Sequence, residues 1–199
     1  MRPLRTAVRT VLLTTLAAAG AMVIAAEPAM AHTGRPSTGL ADGFLHPITG
    51  PDHLLAMLAV GVVAALATSR RGAFATPAAF VGGMLIGGVA GVADVPLPGA
   101  EALIVASVLL LGVAIVSAVR GAGDWFLVAL VVAGVAHGHA HGAEAPVAAN
   151  VAAYVGGFVA ATAFLHAAGA AIGLTVRNHR TLQIGLGAVT IASGGLLVA

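Results

Sequence analysis

The chain contains no cysteine, no lysine and little charge of either sign. Of its 199 residues, 8% are charged and 59% are hydrophobic, whereas a soluble domain has about 25% charged residues. These few polar groups could not cover a globular surface, so the sequence predicts a membrane protein and argues against a soluble one. The absence of cysteine excludes disulfides, thiolate metal sites and CxxC redox chemistry.

The N-terminus has the pattern of a secretory signal peptide. Three arginines lie within the first nine residues, and an apolar stretch follows at residues 11–26. Pro28 ends that stretch, and Ala29-Met30-Ala31 supplies the small residues that favour cleavage. We therefore expect a signal peptide at 1–31 and a single mature domain at 32–199. The alternative is an uncleaved first transmembrane helix.

Cleavage would change the charge of the chain and its first residue. It would remove three arginines and one glutamate, which leaves six basic and six acidic residues. The sequence pI of about 10.5 therefore belongs largely to the leader, and no basic patch remains to favour nucleic-acid binding. His32 would become N-terminal, where its α-amine and imidazole form a ready chelate for a divalent transition metal. The alternative is that His32 merely marks where the peptidase cuts.

Six apolar segments follow, and each is long enough to cross a bilayer. The predicted spans are 44–68, 74–93, 98–119, 124–142, 148–176 and 181–198. The fold class is therefore all-α, a polytopic bundle of six transmembrane helices. Glycines at four-residue spacing, Gly83-Gly87-Gly91 and Gly169-Gly173, predict close helix packing in lipid.

The arginines orient these spans. Five of them, Arg70, Arg71, Arg120, Arg177 and Arg180, fall in alternate loops. The positive-inside rule places those loops in the cytoplasm and the mature N-terminus outside, in a bacterial cytoplasmic (inner) membrane.

The first polar group inside the membrane is the segment from His46 to His53. His46, Asp52 and His53 lie in it, with Asp42 just ahead. Pro51 suits the first turn of a helix, which would place His46 in a preceding bend or half-helix. In a continuous helix, His46 and His53 would instead share one face. A polar helix cap would explain Asp52 but does not require two histidines.

The second polar group ends the fourth span. His137, His141 and Glu144 share one helical face, from which His139 points away. Two imidazoles and a carboxylate on one stripe have metal-ligand spacing. The HExxH motif is absent, so a zincin is excluded. The alternative is a solvated histidine-rich helix end.

Four further ionisable residues are candidates for a path through the membrane or for supporting the site, namely Asp42, Glu101, His139 and His166. Glu101 begins the third span, and His166 lies well inside the fifth. The predicted topology places His32, both polar groups and Glu101 on the outer side. His166 is deeper and is either a waypoint towards the cytoplasm or a hydrogen-bonded helix tether.

These motifs resemble the HupE/UreJ family of hydrogenase and urease accessory membrane proteins, taken to be nickel or cobalt permeases. The family patterns HxxxxxDH and HGxAHGxE match the segments that begin at His46 and His137. The likeness covers essentially the whole mature chain, and one departure is Ala136, where members often have Phe. The resemblance implies transport residues at His46, Asp52, His53, His137, His141 and Glu144.

The chemistry of the donors agrees with that implication. Imidazole and carboxylate suit Ni²⁺, Co²⁺, Zn²⁺ or Cu²⁺, whereas Mg²⁺ and Ca²⁺ prefer oxygen ligands. We expect a transporter and no enzyme, with no permanent cofactor, Ni²⁺ as cargo and Co²⁺ or Zn²⁺ as alternatives. Its partners would be membrane lipid, the metal ion and, indirectly, urease or hydrogenase maturation. Whether it forms a homo-oligomer is left open. Two alternatives remain, an intramembrane zinc-dependent hydrolase and a metal-binding structural or sensory membrane protein.

Overall fold

The computed structural model describes residues 39–117, 123–145 and 150–197. Within these ranges every regular element is an α-helix, which confirms the all-α class. The seven helices are α1 Leu40–Thr49, α2 Pro51–Leu66, α3 Arg70–Val92, α4 Ala100–Ser117, α5 Asp124–Ala143, α6 Val151–Val176 and α7 Arg180–Leu196. The predicted signal peptide, His32 and Arg120 lie outside the described residues.

Four of these helices, α3 to α6, are long and apolar enough to cross a membrane. The 23 residues of α3 extend about 34 Å, which exceeds a hydrocarbon core of about 30 Å. Taken together, α1 and α2 would make a fifth span. The sixth predicted span corresponds to α7, which has 17 residues. The structure thus supports an integral membrane protein with four or five candidate spans, and the count of six remains a prediction.

The first predicted span is broken at Gly50. Helices α1 and α2 meet there at 86°, and Gly50 has extended backbone angles, φ −86° and ψ 113°. A residue that precedes proline is disfavoured in helical conformation, and Pro51 is tolerated in the first turn because that turn needs no N–H donor from it. The half-helix predicted for His46 is therefore confirmed, and the continuous helix is wrong.

Glycines bring the backbones of paired helices into contact. Three glycines of α3 face carbonyl oxygens of α5, and three glycines of α5 face α3 in return. They are Gly83, Gly87, Gly91, Gly134, Gly138 and Gly142. A Cβ atom at any of them would overlap the opposing carbonyl group, so only glycine permits this approach. The packing role predicted for Gly83, Gly87 and Gly91 is confirmed.

The same arrangement joins other helix pairs. Gly61 of α2 faces the carbonyl of His166 in α6, and Gly169 of α6 faces that of Leu58 in α2. Gly43 of α1 faces the carbonyl of Tyr154 in α6. Helix α2 lies at the centre, where it packs against α1, α3, α4, α6 and α7. Its side chains, among them Met57 and Val60, form much of the apolar core.

The alternating directions of the helices define two ends of the bundle. At the histidine end, α2 begins, α5 ends and α6 begins, so His53, His141 and Tyr154 lie close together. At the opposite arginine end, α3 begins at Arg70 and α7 begins at Arg180. His53 and His141 at one end are therefore separated from Arg70 and Arg180 at the other by the length of the bundle.

The glycine contacts predict a position-dependent effect of one added methyl group. Gly87→Ala would drive a Cβ into the carbonyl of Val135, whereas Gly82→Ala, on the same helix, meets nothing within 4 Å. Overpacking costs about 1–3 kcal/mol. We expect a lower thermal unfolding midpoint in detergent for Gly87→Ala only. Equal midpoints for the two variants would contradict this packing.

Candidate metal-binding site

Four imidazole rings from three helices meet at the histidine end. We call His46 of α1, His53 of α2, and His137 and His141 of α5 the histidine cluster. The ring centroid of His141 lies 4.1 Å from that of His53 and 4.8 Å from that of His46. His53 lies 5.0 Å from His137. The two predicted histidine motifs, 84 residues apart in sequence at His53 and His137, therefore form one contiguous group.

The local structure of α2 explains how His53 is held. The Asp52 carboxylate accepts the backbone N–H of His53 at 2.8 Å, in the first turn of the helix. That N–H has no partner within the helix, and a carboxylate there also interacts favourably with the helix dipole. This interaction matches the capping alternative for Asp52, and it leaves the imidazole of His53 free to join the cluster.

Most cluster nitrogens that are buried lack a hydrogen-bonding partner. Among the described residues this holds for His53 Nδ1, His137 Nε2 and both ring nitrogens of His141. An unpaired polar atom in an apolar interior costs about 1–3 kcal/mol, so four of them in one place need an explanation. A neutral imidazole has one lone-pair nitrogen, so a bound cation would satisfy at most one of these atoms in each ring.

The hydrogen bond of His137 selects a tautomer that leaves Nε2 with the lone pair. The Nδ1 of His137 lies 2.9 Å from the carbonyl oxygen of Ala133, and because a carbonyl only accepts, Nδ1 must carry the proton. The unpaired Nε2 then holds the lone pair. Metal-binding histidines commonly donate their other N–H to a backbone carbonyl in this way.

The Glu144 carboxylate lies at the edge of the cluster, beside His46. Glu144, the residue after α5, accepts a hydrogen bond from His46 Nε2 at 2.9 Å. This hydrogen bond holds the pKa of the Glu144 carboxyl below its usual range. The carboxylate therefore keeps its negative charge in mildly acidic solution and attracts cations to this end of the bundle.

The cluster is not preformed around one ion. Within the described ranges, no three His, Asp or Glu side chains surround a single point closely enough to hold a metal. The rings are adjacent, with centroids 4.1–5.0 Å apart, but the nitrogens of the described cluster do not converge on one point.

The remaining predicted residues lie around this cluster. Asp42 is one helical turn before His46, and its buried Oδ2 has no hydrogen-bonding partner among the described residues. Glu101 is exposed in the first turn of α4. His139 points away from the cluster, as predicted, and its Nε2 donates to the carbonyl of Val95 at 2.7 Å. His166 is buried deeper in the bundle, on α6.

Three aromatic residues contact the cluster without having been predicted as site residues. Phe158 packs its ring 4.5 Å from His141, and Phe80 lies 5.1 Å from His137. The Tyr154 hydroxyl donates to the carbonyl of His141 at 3.4 Å. Tyr154 is the single tyrosine of the chain. That rarity is the one feature of the sequence that could have drawn attention to it as a site residue.

An apolar cavity of about 350 Å³ reaches His141 from the side. Residues of α3, α5 and α6 line it, including Met84, Gly138, Tyr154 and Phe158. Although α5 and α6 are consecutive, they pack mainly against other helices. The hydrogen bond from Tyr154 to His141 is therefore one of few direct contacts between α5 and α6 near the histidine cluster.

Comparison with known proteins places the chain in a family. The family model described as "HupE / UreJ protein" matches residues 20–197. The chain belongs to the HupE/UreJ family. A curated relative, Protein HupE of Rhizobium leguminosarum bv. viciae, is 35% identical over 173 residues, covering 85% of this chain and 90% of the relative. No solved structure matches significantly.

Metal binding at the cluster should stabilise the folded protein. A ligand that binds only the native state, at about 100 times its Kd, adds about 2.7 kcal/mol to the free energy of unfolding. We expect Ni²⁺ to raise the unfolding midpoint of the purified protein in detergent. His141→Ala should abolish that shift, whereas His179→Ala, at an exposed position outside the cluster, should retain it. An equal shift in both variants would exclude the cluster as the binding site.

Proposed function

We propose that the protein is a secondary transporter of a divalent transition-metal ion, which takes up Ni²⁺ or alternatively Co²⁺ from the outer side. The metal would serve the maturation of a metalloenzyme such as hydrogenase or urease, the processes with which the HupE/UreJ family is associated. One observation carries the proposal: four adjacent imidazole rings lie inside an apolar bundle, with buried nitrogens that no described residue satisfies.

The proposed orientation follows from the two ends of the bundle. The described arginines lie at the arginine end, which the positive-inside rule assigns to the cytoplasm. The histidine cluster and Glu144 then face the outside of a bacterial cytoplasmic membrane. A signal peptide cleaved after Ala31 and six spans, with α7 as the last, complete this topology. The new N-terminus would deliver His32 to the same side as the cluster.

The donor set supports a borderline divalent ion. The proposed site combines neutral imidazole with carboxylate and contains no thiolate, which fits Ni²⁺, Co²⁺ and Zn²⁺ better than Cu⁺ or Mg²⁺. The sequence also contains no GxxxxGK[ST] motif, so the proposal assigns no ATP hydrolysis to this chain.

An intramembrane zinc hydrolase is the second candidate, and the cavity beside His141 is the observation that favours it. An apolar cavity open to the side of a bundle could admit the acyl chain of a lipid. Catalytic zinc, however, requires three protein ligands around one point, an arrangement not present among the described residues. Proteoliposomes distinguish the two, since a hydrolase would retain zinc and turn over substrate without ion flux.

Uptake of radiolabelled nickel into proteoliposomes tests the transport proposal. At low external nickel, His53→Ala and His141→Ala should each lower the initial rate by about tenfold or more, since each removes a ligand. The matched control His179→Ala removes an exposed imidazole and should transport at the wild-type rate. Unchanged uptake in correctly inserted His53→Ala and His141→Ala proteins would refute the proposal.

Acidification should inhibit uptake. A protonated imidazole has no lone pair for a metal, so protons and the metal compete for the cluster. We expect the initial rate to decline when the outer solution is acidified and to recover when the pH is raised. A rate that rises on acidification would mean that proton binding assists transport at the cluster instead of competing with the metal.

A further inference from the structure

A fifth histidine lies beyond the histidine cluster on the proposed route to the arginine end. His166 is eight residues after Phe158, the residue of α6 that contacts His141. Eight helical residues extend about 12 Å. Because His137 already lies one turn, about 6 Å, deeper than His141, His166 lies about one further helical turn below the cluster, within the candidate membrane span of α6.

Nε2 of His166 is not held by a backbone carbonyl, whereas one ring nitrogen of His137 and one of His139 are. His137 Nδ1 donates to Ala133, and His139 Nε2 donates to Val95. In contrast, His166 Nε2 is buried and finds no hydrogen-bonding partner in the described part of the chain. The reading of His166 as a helix tether through that nitrogen is not supported, and Nε2 is available to a ligand.

One side chain contacts both His166 and the cluster. The Phe80 ring centroid lies 5.1 Å from that of His137 and 5.8 Å from that of His166. Phe80 is fully buried. A cation that moved directly from His137 Nε2 to His166 Nε2 would therefore travel past this ring.

The backbones around the ring are fixed by glycine contacts. Gly134 of α5 packs against the carbonyl of Phe80, and Gly61 of α2 packs against the carbonyl of His166. Since neither backbone can shift without breaking these contacts, passage would depend on rotation of the Phe80 side chain.

We propose that His166 is an inner binding step for the transported divalent cation and that the ring of Phe80 is the barrier between it and the histidine cluster. This inference rests on the transport function proposed above. A single neutral imidazole is a weak site, and weak sites in series allow an ion to enter and leave. The cluster would capture the ion, and His166 would accept it after Phe80 rotates.

His166→Leu tests the inner step. In proteoliposomes of the full chain supplied with external Ni²⁺, we expect the maximal uptake rate to fall about tenfold while the half-saturating concentration changes less than about twofold. Equilibrium Ni²⁺ binding to the detergent-solubilised variant should match the wild type, because the cluster is intact. His179→Leu, at an exposed site, is the matched control. Wild-type uptake by His166→Leu, or loss of binding together with uptake, would overturn the inference.

Phe80→Leu tests the barrier, with Phe74→Leu as its control on the same helix, where Phe74 is 71% exposed. A smaller side chain should raise the passive flux of Ni²⁺ down its gradient severalfold, an increase that loss of packing in a merely structural residue would not produce. If Phe80→Leu does not insert, Phe80→Met takes its place. A flux that is unchanged or lower in the inserted protein would refute the barrier.

The two proposals fail in different ways. If wild-type proteoliposomes do not take up nickel, the transport function itself is wrong. If the wild type transports and His53→Ala does not, but His166→Leu behaves as the wild type, only the inner step is wrong.

Discussion

The chain direction changes by 86° at Gly50, and the geometry of the site depends on that break. Pro51 can begin α2 but could not lie inside a continuous helix without the loss of a hydrogen bond and a steric clash. The break allows α1 to approach α6, where Gly43 meets the backbone of Tyr154. As a result, His46 reaches the cluster from one side while His53 enters it from the first turn of α2.

Glycine packing then sets how closely the rings can approach. In lipid, the hydrophobic effect does not drive helices together, so close backbone contact carries much of the association. The glycines of α3 and α5 hold Phe80 against the helix that carries His137, and those of α2 and α6 hold His166 in place. Within this rigid frame the imidazole side chains are the parts that can rotate. A rigid bundle with adaptable ligands can bind an ion without retaining it.

Much of this architecture could be predicted from the sequence, because its signals are local. The spacing of His137, His141 and Glu144 on one helical face follows from 3.6 residues per turn, and Pro51 marks the break. Glycine spacing likewise predicted the packing surface at Gly83, Gly87 and Gly91. The contacts of Tyr154 and Phe158 with His141 could not be predicted, since a lone aromatic residue in an apolar helix carries no periodic signal. Nor could the contacts of Phe80 with His137 and His166 be predicted, because they depend on how three helices pack.

The convergence of His46, His53, His137 and His141 on one transported cation is the central claim. X-ray absorption at the nickel edge of the Ni²⁺-loaded protein tests it most directly, because the scattering pattern of imidazole rings differs from that of water or carboxylate oxygen. We predict a first shell with at least two imidazole nitrogens and no sulfur, at about 2.0–2.1 Å by analogy with zinc–imidazole bonds. A shell of oxygen ligands without imidazole scattering would contradict the account.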